Sequence, residues 1–200
     1  MKKLFLLLPL LLLGLTSYSQ SLYKGGLEVG ANMMGGNLMI SNVEADTEYS
    51  WGIRLGYVGE YKLSDGAFLR GAVLLNQRGF QFADERWGLN AIDVPVNLGY
   101  NFNLNDDGLK LFLDAGVNLE YNFRAFTKIN DELVTLTIGS EEGDIKRFST
   151  GVNFGTGLQF SEKVKLRVNY YKGMTNLLQS NNDEWNNHVV GVSLDYFFKA

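Results

Sequence analysis

The chain carries 200 residues, 46% of them hydrophobic, with 23 Gly, two Pro, one His and no Cys. The lack of Cys rules out a disulfide framework and a Cys-anchored lipid, and a single His excludes a multi-histidine metal site. A net charge of −4 argues against nucleic acid as a partner.

In chain order, Met1-Lys2-Lys3, an apolar run from Leu4 to Leu15 around Pro9, and small residues at Ser17 and Ser19 make the three parts of a signal peptide. The run is too short for a spanning helix, which needs about 20 apolar residues. Residues 1–19 are therefore read as a leader and residues 20–200 as one domain. Loss of Lys2 and Lys3 with the leader takes the net charge to about −6.

The domain is dominated by period-2 alternation, the mark of strands whose successive side chains face opposite ways. A weak pattern covers Gly25 to Met33. Next, Trp51, Ile53, Leu55, Tyr57 and Tyr61 alternate with Gly52, Arg54, Gly56, Glu60 and Lys62, with Val58 and Gly59 as exceptions. A second weak pattern runs from Ala67 to Gly79. Ile92, Val94, Val96, Leu98, Tyr100 and Phe102 then oppose Asp93, Pro95, Asn97, Gly99 and Asn101. The clearest segment sets Leu111, Leu113, Ala115, Val117, Leu119, Tyr121 and Phe123 against Lys110, Asp114, Gly116, Asn118, Glu120, Asn122 and Arg124. Three more follow, carried by Val152, Phe154, Leu158 and Phe160, by Val164, Leu166, Val168 and Tyr170, and by Val190, Val192, Leu194, Tyr196 and Phe198.

The connections alternate in length. Short turns fall at Ser64-Asp65-Gly66, Asn103 to Gly108 and Ser161-Glu162-Lys163; longer polar segments fall at Gly35 to Tyr49, Phe80 to Asn90, Phe126 to Lys146 and Thr175 to Asn186. Short periplasmic turns and long extracellular loops are the habit of outer-membrane barrels, and most segments reach the roughly 9 to 11 residues a tilted spanning strand needs. A soluble lipocalin-like barrel is the competing architecture, but its outer face would carry more Lys and Glu than this polar face of Gly and Asn. The predicted fold is all-β: a closed antiparallel up-and-down transmembrane barrel of about eight strands in the outer membrane of a Gram-negative bacterium.

Three stretches carry a family resemblance. Ala91-Ile92-Asp93-Val94-Pro95-Val96-Asn97-Leu98-Gly99-Tyr100 resembles an acidic-aliphatic-proline strand, Gln77-Arg78-Gly79 a strand-end glycine, and Tyr171-Lys172-Gly173-Met174-Thr175-Asn176 a Gly-Leu-Thr-Asn-like segment. Together they resemble the porin-like or PorT-like outer-membrane barrels, small barrels similar in architecture to OmpA and OmpX. The resemblance implies location and architecture, not activity.

Alternation turns Glu28, Arg54, Glu60, Lys62, Arg70, Asp93, Asp114, Glu120, Arg124, Arg147, Lys165 and Arg167 inward. Eight strands enclose an interior that side chains can fill, so these charges predict an ion-paired lumen; a charge-lined pore is the alternative. Trp51, Tyr61, Tyr100, Phe102, Tyr121, Phe123, Phe160, Tyr196 and Phe198 lie near strand ends, where rings suit the membrane interfaces. Pro95 belongs at a bulge or rim.

His188 falls on the lipid side and Ser149 and Ser193 inside, which disfavours a Ser–His hydrolase. Asn130, Asp131, Glu132, Glu141, Glu142 and Asp144 offer oxygen ligands, but their spacing matches no calcium loop, so a solvated loop is expected, as at Asp183-Glu184. No cofactor is called for. The glycines form no phosphate-binding loop.

The expected role is non-enzymatic, structural or interactive through the extracellular loops. A small-solute pore, a PorT-like part of protein export and a lipid A-modifying enzyme are the alternatives. Expected partners are outer-membrane lipid, envelope proteins, and the barrel-assembly machinery reading the C-terminal strand Leu194-Asp195-Tyr196-Phe197-Phe198.

Overall fold

The computed structural model describes residues 22–198 apart from 42, 84, 106, 107, 130, 131 and 181. The predicted leader lies outside the described residues. Every element is a strand: β1 (Tyr23–Ile40), β2 (Val43–Ala45), β3 (Ser50–Lys62), β4 (Ala67–Phe82), β5 (Glu85–Asn103), β6 (Lys110–Ile129), β7 (Glu132–Leu136), β8 (Phe148–Gln159), β9 (Val164–Gly173) and β10 (Glu184–Phe197).

Eight of these pair in a ring. The order β10-β9-β8-β6-β5-β4-β3-β1 is closed by an antiparallel ladder between β1 and β10 that runs from Gly26↔Phe197 to Met39↔Glu184. Closure leaves none of the eight as an open sheet edge. β2 and β7 pair only with β1 and β6, at the long-loop end.

Two of the three short turns hold a Gly at positive φ, Gly66 and Gly108. Leu63 N–H donates to Ala67 O at 2.9 Å across a turn holding Gly66 at φ +105°. At the next turn Leu104 N–H donates to Leu109 O at 2.9 Å, and Asn105 Oδ1 accepts from Leu109 N–H at 2.9 Å. Phe160 N–H donates to Val164 O at 3.0 Å across the third.

At the other end, two expected loops are largely strand. β4 continues to Phe82 and β5 starts at Glu85, so Phe80 to Asn90 is a tight hairpin. β1 runs to Ile40, and β2 lies inside the segment expected as the first long loop. Backbone groups need partners beyond the apolar band too, and a continued ladder supplies them. Irregular chain remains at residues 137–147, 174–180 and 182–183.

Pro95 sits mid-strand, at neither bulge nor rim. Pairing of β4 with β5 lapses between Gly71↔Val96 and Leu74↔Asp93 and resumes in the same register. The ring has no N–H to give, so one rung is lost without a slip. The register shift in the neighbouring ladder lies higher, at Asn90/Ala91, where β6 carries an extra residue.

Candidate functional site

The wall sorts side chains by direction. Outward, Val29, Leu55, Val73, Val96, Val117, Val168 and Val192 form an apolar band around the ring. Tyr61, Tyr100, Phe102, Phe160, Tyr196 and Phe198 border it at the short-turn end, and Trp51, Tyr121, Phe123 and Phe148 at the other; all are exposed on the outer face. Neighbours in these belts pack as rings, with centroids 4.9 Å apart for Tyr100–Phe102 and 5.4 Å for Tyr121–Phe148.

Inward, the lumen is filled. Glu28 on β1 bridges Arg54 of β3, at 2.7 Å, and Arg70 of β4. Glu60 accepts from Lys165 at 2.8 and 2.9 Å and faces Lys24 at 3.1 Å. Arg167 holds Asp114, which also accepts from Asn97 at 2.7 Å. Nearer the long-loop end, Arg78 lies between Asp93 and Glu120, its guanidinium 3.8 Å from the Tyr171 ring centroid. Asn76 adds a bond to Asp93 at 2.6 Å, and Asn118 one to Glu120 at 2.9 Å.

Buried charges are tolerable only when paired and hydrogen-bonded. Among the described residues the lumen sets six cations (Lys24, Arg54, Arg70, Arg78, Lys165, Arg167) against six anions (Glu28, Glu60, Asp93, Asp114, Glu120, Asp195). Equal numbers leave no net charge for which a counter-ion must enter.

Nine of the twelve charges expected inside are buried; Lys62, Arg124 and Arg147 are not. Lys62 keeps the inward parity but stands at the end of β3, 53% exposed and paired with Asp65 at 2.8 Å in the turn. Arg124 is turned out because Phe123 and Arg124 both face outward at the β6 bulge, after which Ala125 and Thr127 take the inner positions. Arg147 precedes the first residue of β8, and its guanidinium leaves the lumen for Ile138 O at 3.1 Å and the Tyr121 ring at 6.0 Å.

Arg78, Asp195 and Lys24 were missed. Each shares the parity of an inward residue on its own strand: Arg70, Ser193 and Glu28 respectively. That parity was the available signal.

Above Arg78 the lumen becomes apolar. Leu38, Phe80, Leu89, Ala125 and Trp185 point in from strand ends, and Ile145 and Leu177 come down from the two irregular loops. Trp185 meets Phe80 edge-on with centroids 5.3 Å apart, and Trp87 edge-on at 6.1 Å. The loops are tied together over the barrel: Lys146 N–H donates to Leu177 O at 2.7 Å, Leu177 N–H to Trp185 O at 2.8 Å, and Gly143 N–H to Gln179 O at 2.8 Å.

At the short-turn end a cavity of about 1020 Å³ opens outward, lined by Lys24, Glu60, Phe68, Gln159 and Glu162 among others. In the turns, the hydrogen bond from Lys62 holds the Asp65 carboxyl below its usual range. Partial burial would raise Glu162, but the Lys110 ammonium overcomes it and holds that carboxyl low. The interior is thus a filled lumen with a vestibule open at the short-turn end and a cap at the other.

His188 lies on the outer face, edge-on to Tyr49 with centroids 5.6 Å apart, while Ser149 and Ser193 are buried in the lumen. The wall separates the histidine from both serines. Asn130 and Asp131 of the acidic loop lie outside the described residues. Of the rest, Asp144 accepts from the Glu141 N–H at 3.0 Å and so serves a turn. Among the described residues no group of three or more acidic or histidine side chains has a metal-holding arrangement.

The chain matches the family described as outer membrane protein beta-barrel domain over residues 5–198. Among solved structures it resembles the outer membrane protein OprG from Pseudomonas aeruginosa, at 12% identity and a TM-score of 0.50, covering 90% of this chain and 95% of that one. Neisserial surface protein A aligns at 18% identity and a TM-score of 0.48 over 86% and 97% of the two chains. The attachment invasion locus protein of Yersinia pestis aligns at 13% and 0.45 over 88% and 98%. Among curated proteins, none matches the chain in sequence. At these identities the likeness is one of fold.

Proposed function

The chain belongs to the family of outer-membrane β-barrel domain proteins, resident in the Gram-negative outer membrane, and from that premise we propose a non-catalytic, non-conducting barrel that holds extracellular hairpins for interaction. The observation that carries this reading is the double obstruction of the lumen. A charge-balanced plug fills its middle, and an aromatic cap fills its outer end. A small-solute pore would need both to move, and the plug ties together strands that are not neighbours in the ring, as Lys165 on β9 to Glu60 on β3 does.

The strands that rise beyond the outer aromatic belt supply the interaction platform. They set the hairpins on continued sheet, so a partner meets a preformed surface. The separation of His188 from Ser149 and Ser193 supports the non-catalytic part of the reading.

Conductance in planar bilayers is the test. The purified barrel is expected to give no resolved steps. Stable steps of the size of a wide aqueous channel would overturn the proposal, and co-purification of envelope proteins through the hairpins would identify the partner.

A further inference from the structure

At the seam where β10 closes on β1, one inward position carries no side chain. Gly191 of β10 faces the lumen, and its partners in the two flanking ladders are Asn32 of β1 and Asn169 of β9. With no Cβ between them, the two carboxamides lean over the glycine. The point a Cβ would take at Gly191 lies 2.6 Å from Asn169 Oδ1 and 2.7 Å from Asn32 Oδ1. Both asparagines are buried, and no group among the described residues donates to either oxygen.

Asn32 does not relieve this by turning over. Asp93, ion-paired with Arg78, is a carboxylate and only accepts. It takes the Asn76 Nδ2 hydrogen at 2.6 Å, so Asn76 presents Oδ1 to Asn32, which donates to it from Nδ2 at 2.5 Å. The Asn32 oxygen is thereby held on the Gly191 side. A similar rung at Gly116 differs in kind. Its partners are Asn97 and Asn153, where the atoms without a partner are Asn97 Oδ1 and Asn153 Nδ2, an acceptor and a donor. Those two complement each other, whereas two acceptors require a donor from elsewhere.

We infer that Asn32, Gly191 and Asn169 form a binding site for one buried water, which donates a hydrogen bond to each carboxamide oxygen. Buried waters join roughly two to four polar groups that would otherwise lack partners. The separations suit an oxygen donor and would crowd a carbon, so glycine is the residue that leaves room for it. A neutral donor fits where a cation does not. The lumen charges already balance, six against six. Two guanidinium-bearing residues also stand one inward position away, Arg167 two residues before Asn169 on β9, and Arg54 opposite Gly30, two residues before Asn32 on β1. β1 and β9 are separated in the ring by β10, so the water adds a tie across the closing seam that backbone pairing does not supply. This inference rests on the filled lumen proposed above.

The test is water-selective NMR of the isotope-labelled barrel in lipid nanodiscs, reading magnetisation transfer from water to the Gly191 α-protons. A cross-peak with the sign of a long-lived bound water is expected there. Asn169→Leu, which removes one oxygen at similar volume, is expected to abolish it, and Asn153→Leu at the other rung to leave it intact. Heat-modifiable gel mobility verifies that each variant is folded, and the wild-type measurement decides by itself if one is not. Absence of the cross-peak in the wild type, or its survival in Asn169→Leu, would overturn the inference. So would a scalar coupling from the Asn169 Nδ2–H to the Asn32 carboxamide, which marks a direct bond between the two. Shifts of both carboxamides when sodium chloride replaces choline chloride would assign the site to a cation and overturn it as a water site. Water cross-peaks at Val58 and Leu74 as well would mean a flooded lumen and overturn the filled-lumen reading with it, whereas failure at Gly191 alone leaves that reading standing.

Discussion

Glu28 shows what a single lumen residue does. It is fully buried and serves Arg54 and Arg70 at once, and Arg54 has no other ion pair among the described residues. Replacing it by Ala leaves a buried guanidinium without its anion, a change that typically costs about 3–5 kcal/mol. Urea unfolding from lipid vesicles is expected to show that loss for Glu28→Ala and a change within about 0.5 kcal/mol for Lys62→Ala, whose side chain sits in water. Similar losses for both would mean that the plug contributes little to holding the wall. At this scale parity along a strand was the whole signal. It located Glu28, Arg54 and Arg70 because the ladder there is unbroken, and it misplaced Arg124 because a bulge, which leaves no mark in alternation until both neighbours are known, shifts the phase by one residue.

The strands themselves are longer than the membrane, at 16 residues for β4, 19 for β5 and 20 for β6. Their lower parts were legible and their upper parts were not, for one physical reason: the solvent outside the wall changes. Within the bilayer, β5 puts Ile92, Val94 and Val96 outward and Asp93 and Asn97 inward. Above it, Arg86 and Asn90 face outward to water while Trp87, Leu89 and Ala91 face in to the cap. The hydrophobic phase inverts at Ala91-Ile92, and a pattern that inverts mid-strand reads as two short segments with a loop between them. The proline of the same strand offers a test. Ala72 stands opposite Pro95 in the register and lacks a rung there. Pro95→Val restores the N–H at similar volume in a residue suited to strands, so stability in vesicles is expected to rise by about 0.5–1.5 kcal/mol. A fall would show that the ring's lumen packing outweighs the bond.

Closure of the whole molecule depends on the last few residues of β10. Phe197 is fully buried at the short-turn end against Val58, Ala72 and Leu74, beneath the Lys24 ammonium at 4.4 Å. Its N–H donates to Lys163 O at 2.8 Å, and that of Phe198 to Gly25 O at 2.9 Å, so adjacent residues latch β10 to the β8–β9 turn and to β1. Removing residues 196–200 exposes the first rungs of the β1–β10 ladder and leaves edge groups that lipid cannot satisfy. The same segment was read from its alternating aromatics as an assembly signal, and the two roles separate by experiment. In pure lipid vesicles, where no assembly machinery exists, the truncated chain is expected to fail to reach the heat-modifiable folded form. Phe197→Ala, which keeps every backbone bond, is expected to fold and to lose about 3–5 kcal/mol from the vacated core position. If the truncated chain folds in vesicles yet fails to insert in cells, the segment is an address and the ring closes without it. Failure in both would assign it the latch, because only the missing rungs are common to the two settings.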